Sequence, residues 1–161
     1  MNDLNVKILT LEPMRVASAY GFGVNPEEQA WQKMVAWAKP KGLLEDITAH
    51  PLFGFNNPNP SAGVPGYGYE FWIRVGPEAE PEGDVRIVEF MGGTYACARC
   101  EVQGDPGAKI PATWKSLIEW CKMNRYRFAC HQAVERFLSS PDDIGNLAIE
   151  ICCPIIPPEG H

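Results

Sequence analysis

Residues 31–39 read Trp-Gln-Lys-Met-Val-Ala-Trp-Ala-Lys (WQKMVAWAK), and residues 114–122 read WKSLIEWCK. Each stretch opens on Trp, carries an apolar pair three and four places on, then a second Trp at six, a small residue at seven and Lys at eight. The offset, 114 − 31 = 83, is close to half of a 161-residue chain, which is the mark of an internal duplication. Trp31, Met34, Val35 and Ala38 fall on one stripe of a helix, and Trp114, Leu117, Ile118 and Cys121 on another. Both stripes read as sheet-facing seams, with Trp37 and Trp120 at their edges. Asn25-Pro26-Glu27-Glu28 supplies a cap, a first-turn proline and acidic residues for the first helix, which Lys39-Pro40-Lys41-Gly42 ends. Pro111 is expected to open the second.

The flanks repeat as well. VKILTLEPMRVASAY precedes the first helix and DVRIVEFMGGTYACA the second, and both are rich in branched, strand-forming residues. After the helices PLFGF (51–55) stands opposite AVERF (133–137), and YEFWIRV (69–75) opposite IEICCPI (149–155). Phe55 then aligns with Phe137 and Glu70 with Glu150, at offsets of 82 and 80. Turn-rich stretches at 56–68, 76–84 and 139–146 separate the elements. The expected fold is α+β: a tandem, pseudo-twofold βαββ duplication with two main helices. A lone repeat has too little core, so the halves, about 1–76 and 84–157 of a single 1–161 domain, are expected to join in a mainly antiparallel eight-stranded sheet with a groove between them.

Composition narrows the function. A hydrophobic content of 45% with 21% charged residues fits an ordinary globular chain, and a net charge of −6 argues against direct nucleic-acid binding. The amino-terminal MNDLNVKILTLEP lacks the features of a signal peptide, and no run of 18 apolar residues occurs, so a cytoplasmic protein without a membrane partner is expected. Six cysteines are present, but Cys97-x-x-Cys100 lacks a second pair at zinc-ribbon spacing, and in the alternating run YACARCEV its members point to opposite faces. The cysteines read as small core residues. No metal and no cofactor is expected.

Several features in order resemble the GyrI-like small-molecule-binding domains of the SOUL superfamily, which also serve as effector domains of multidrug-responsive transcription regulators. They are the tandem repeat, an Asn-Pro turn before Tyr69-Glu70, Gly93-Thr94-Tyr95-Ala96, Trp114, Glu135-Arg136-Phe137 and the closing Ile-Glu-Ile-x-x-Pro-Ile. The resemblance implies a pocket with Glu135 at its base, walled by aromatic rings, with Trp114 and Tyr69 at pocket positions and Phe137 where many relatives have Tyr. Phe55 and Trp31 join by internal symmetry. Trp72 joins only if its face of the 69–75 strand, opposite that of Tyr69, turns inward.

A carboxylate beside apolar walls is costly to ionise without a compensating cation, and ring faces attract the same cation by about 0.5–2 kcal/mol each. The implied function is stand-alone binding of hydrophobic, often cationic or polycyclic small molecules, for xenobiotic sensing or sequestration. Two alternatives follow from the same resemblance. One is hydrolysis of cyclopropane-containing, DNA-alkylating natural products, with Glu135 as the catalytic carboxylate; the other is a protein partner, as for gyrase-inhibitory relatives. His50, His131 and His161 are scattered and form no catalytic pattern.

Overall fold

Two chain breaks decide the topology. Pro13 has no N–H to give a sheet ladder, and Gly92 turns the backbone with a φ of 70°, so each long run of branched residues becomes two strands. A side chain could not replace that glycine, since a Cβ there would stand 2.1 Å from the Leu11 carbonyl oxygen. The computed structural model describes residues 4–158. In chain order they form β1 (Val6–Leu11), β2 (Met14–Gly23), helix α1 (Pro26–Ala38), β3 (Leu52–Asn56), β4 (Tyr67–Arg74), β5 (Arg86–Phe90), β6 (Gly93–Glu101), helix α2 (Pro106–Met123), β7 (Arg127–Phe128), β8 (Val134–Phe137) and β9 (Ala148–Ile156). The architecture is α+β. None of these helices is long and apolar enough to cross a membrane.

The chain divides into two compact units, Met14–Phe90 and Met1–Pro13 with Met91–His161, rather than at 1–76 and 84–157. In the first, the strands run in the order β3-β4-β2-β5, every neighbouring pair antiparallel. In the second the order is β1-β6-β9-β8, again antiparallel, with short β7 pairing the end of β9. Each repeat thus gives its first strand to the other unit: β1 pairs with β6, and β5 with β2.

Helix α1 begins as expected, with Asn25 before Pro26 and Glu27 and Glu28 in its first turn. It buries Ala30, Met34, Trp37 and Ala38 against its own sheet. Trp37 is therefore core, 4% exposed, and not an edge residue; Lys41 covers its ring at 4.5 Å. The helix passes so close to β2 that a Cβ on Gly21 would meet the Pro26 carbonyl oxygen at 2.4 Å. Helix α2 starts earlier than expected. Asp105 accepts a hydrogen bond from the Ala108 N–H at 3.3 Å and Pro106 takes the first position, leaving Pro111 inside the helix. Only Leu117 and Cys121 of α2 are fully buried; Trp114, Ile118 and Trp120 keep part of their surface in water.

Candidate functional site

Directly opposed residues of an antiparallel ladder share a face, so the registers assign each candidate side chain to one side of its sheet. In the unit that contains α2, Glu135 pairs with Ile151 and Phe137 with Ile149, while Cys100 also pairs with Ile149. This face is covered by α2, since the Cys100 thiol donates to the Lys109 carbonyl oxygen at 3.6 Å. Across it the indole Nε1–H of Trp114 donates to Glu135 Oε2 at 3.0 Å. Trp114 and Glu135 are half-buried and Phe137 is buried. Three predicted residues therefore meet on one helix-covered face, and two of them are bonded to each other.

In the other unit the corresponding face carries Tyr69 and Phe71, which α1 covers. The Phe71 ring lies 5.1 Å from that of Trp31 and 5.1 Å from that of Tyr69. Phe55 and Trp72 occupy the opposite face, with ring centroids 4.6 Å apart, so Trp31 and Tyr69 are separated from them by the thickness of the sheet.

The alignment of Phe55 with Phe137 needs correction. Phe55 pairs with Glu70 and Arg136 with Glu150, so Phe55 stands where the duplicate has Arg136, and Asn56 answers to Phe137. By the same register Gly54, opposite Phe71, answers to Glu135. A Cβ on Gly54 would lie 2.1 Å from the Tyr69 hydroxyl oxygen. The Tyr69 ring thus fills the space that a side chain at that position would take.

Sequence reasoning passed over Glu70 as a functional group. It is 5% exposed; its Oε1 accepts from Ser18 Oγ at 2.7 Å and Trp72 Nε1 at 3.2 Å, and its Oε2 from Asn57 Nδ2 at 2.7 Å. The Arg86 guanidinium adds a contact at 3.5 Å. The available signal was an acid inside the apolar run Tyr69–Val75, two places before a Trp. Glu70 helps to line a polar cavity of about 360 Å³ with Tyr20, Lys33, Asn57, Asp84 and Arg86. That cavity holds none of the predicted ring candidates.

Burial raises the Cys100 and Cys121 thiols above their usual range and pushes Cys153 up to about 12. The Cys152 thiol is raised too, first by its contact with Cys97 and then by burial. Cys97 and Cys100 do face opposite sides of the sheet, through their pairing with Cys152 and Ile149. His50 Nδ1 contacts the Arg74 carbonyl oxygen at 3.0 Å and His131 Nε2 that of Thr94 at 2.9 Å; His161 lies outside the described residues.

No curated protein sequence is similar enough to match the chain. Among solved structures, the C-terminal domain of EcmrR superposes with a TM-score of 0.71 at 13% identity, over 96% of this chain and 99% of that one. A hydrolase from Listeria innocua gives 0.65 at 14% identity, over 94% and 92%. SAV2435 bound to tetraphenylphosphonium gives 0.56 at 12% identity, over 98% and 97%. At these identities the likeness is one of fold. The family itself is set by the sequence match to the GyrI-like small molecule binding domain over residues 4–156, which includes both helices, all nine strands and the Trp114–Glu135 pair: the chain belongs to the GyrI-like family of small-molecule-binding domains.

Proposed function

We propose that the chain binds hydrophobic, often cationic or polycyclic molecules through Glu135, with Trp114 and Phe137 as its ring contacts, in xenobiotic sensing or sequestration. The observation that carries this is the Trp114 indole bonded at 3.0 Å to a half-buried carboxylate on the α2-covered face. The bond orients the acid and leaves the indole ring beside it, so one charge and one π-face serve the same guest. Trp31 and Tyr69 lie in the other unit and form a ring cluster with Phe71 under α1. Phe55 and Trp72, on the other face, are not retained as contacts. The fold neighbour SAV2435, in complex with a lipophilic cation, supports the choice of ligand class.

The test is a titration of the wild type and Glu135→Gln with tetraphenylphosphonium and with a neutral polycycle, followed by tryptophan fluorescence. Glutamine keeps an acceptor for the indole N–H and removes only the charge. We expect the variant to lose cation affinity tenfold or more while affinity for the neutral guest changes less than twofold. Equal losses for both guests would sink the electrostatic account.

A second reading is hydrolysis of strained polycycles at the same carboxylate, which would position or deprotonate water. It is favoured by the acid–indole pair and by the fold likeness to the Listeria innocua hydrolase. Product formation from a cyclopropane-bearing substrate, lost in Glu135→Gln, separates it from binding alone.

A further inference from the structure

The duplication places one carboxylate at the same register position in both units and surrounds it differently. In the α1 unit, Glu70 has Ser18 opposite Trp72 as its neighbours on the same face, and both donate to it. In the α2 unit the equivalent of that pair is Cys97 opposite Cys152, beside Glu150. Neither thiol donates to the Glu150 carboxylate: Cys97 Sγ points to Cys152 Sγ at 3.2 Å, and Cys152 Sγ is 3.6 Å from the Glu150 backbone carbonyl oxygen. Glu150 is 7% exposed and its Oε1 has no hydrogen-bond donor; the Arg136 guanidinium is 3.1 Å away but off line. Two buried sulfurs and an under-satisfied buried carboxylate, all within 4.8 Å of one another, thus replace a fully bonded polar cluster.

We propose that Cys97, Cys152 and Glu150 bind a thiophilic divalent cation of the zinc type. Charge selects the valence. Two thiolates and a carboxylate carry −3; a divalent ion with Arg136 gives +3, whereas a monovalent ion would leave a buried negative charge. Lys7, opposite Cys97 on β1, is exposed, so water screens its charge. Tetrahedral zinc holds each sulfur at about 2.3 Å and therefore two sulfurs about 3.8 Å apart, a modest opening of the present contact. A rigid cross-strand pair fixes both sulfurs, and the Arg136 contact orients the carboxylate. A fourth position remains for water. This site is independent of Glu135, which lies on the other face of the sheet.

The test uses the full chain, reduced and freed of metal, titrated with cadmium and read by the thiolate-to-cadmium charge-transfer band. The expected result is one tight equivalent with the amplitude of two thiolates, retained in Cys130→Ser and lost in Cys97→Ser and Cys152→Ser. Glu150→Gln should keep the band and weaken affinity tenfold or more. Because either buried Cys variant could unfold, the wild type supplies a second measurement: stoichiometric zinc should raise the Tm and slow alkylation of Cys97 and Cys152 at least tenfold relative to Cys130. No band in the wild type, a band that survives Cys97→Ser, or no protection by zinc overturns the assignment.

Discussion

The two units share a ladder and differ in what they put on it. On the helix-covered face the α2 unit has Glu135 bonded to Trp114, where the α1 unit has Gly54 with the Tyr69 ring folded over it. On the other face Glu70 is held by Ser18, Asn57 and Trp72, while Glu150 faces two thiols and one misaligned arginine. A duplicated scaffold can thus keep its ladder while only one copy carries an acid at the Glu135 position of the helix-covered face. Both units carry a buried acid on the face away from the helix, and they differ in how that acid is bonded.

The largest expected break in that comparison is at the two internal acids. Replacing Glu70 with Leu strands three donors, and we expect a loss of about 3 kcal/mol or more in denaturant titration. Glu150→Leu in metal-free protein removes a poorly bonded carboxylate and should cost about 1 kcal/mol or less. Equal losses would mean that the bonding difference has no energetic weight.

Next is Gly54→Ala, which drives a methyl into the Tyr69 hydroxyl and should cost about 1–3 kcal/mol. In a Tyr69→Ala background the same change should be much milder. If the penalties simply add, the Tyr69 ring does not occupy that space.

Smaller still is the contrast between the helix caps. Asp105 accepts from Ala108, whereas the Asn25 side chain makes no capping bond, so Asp105→Ala should cost about 1 kcal/mol and Asn25→Ala clearly less. Last, the buried thiols confine themselves to the alkaline limb of the pH profile. Cys153 is raised from 9.0 to about 12, so its unfolded form ionises first. Stability from this group is fully present below about pH 9 and declines from there toward pH 12. Cys153→Ala should flatten that limb; an unchanged limb would exclude the thiol as its source.

Much of this was legible in the sequence. The Trp repeat located both helices, and the resemblance singled out Trp114 and Glu135, which are hydrogen-bonded in the structure. Phe55 was misplaced because strand similarity tolerates a slip of one residue, yet a slip of one reverses the face. Trp37 was set at an edge because helical spacing gives the stripe but not the depth at which the sheet meets it. The Asp105-Pro106 start was visible as cap plus proline, but Pro111 stood nearer to the repeated Trp and drew the boundary. Cys97 and Cys152 went unpaired because they lie 55 residues apart, and only the β6–β9 register brings them face to face.

The exchange of first strands has a bearing on how the chain is made. Met14–Phe90 is contiguous, so every partner within that unit has been synthesised by the time Phe90 appears. Val6–Leu11 is different: Leu11 pairs with Gly93, 93 − 11 = 82 residues later. At about 5–20 residues per second, a ribosome takes roughly 4–16 s to supply that partner. For that interval Val6–Leu11 has no ladder to join, with Ile8, Leu9 and Leu11 unpaired beside solvent. Val6–Leu11 thus waits for a partner made some 82 residues later, which makes it a segment with much to gain from a chaperone during translation.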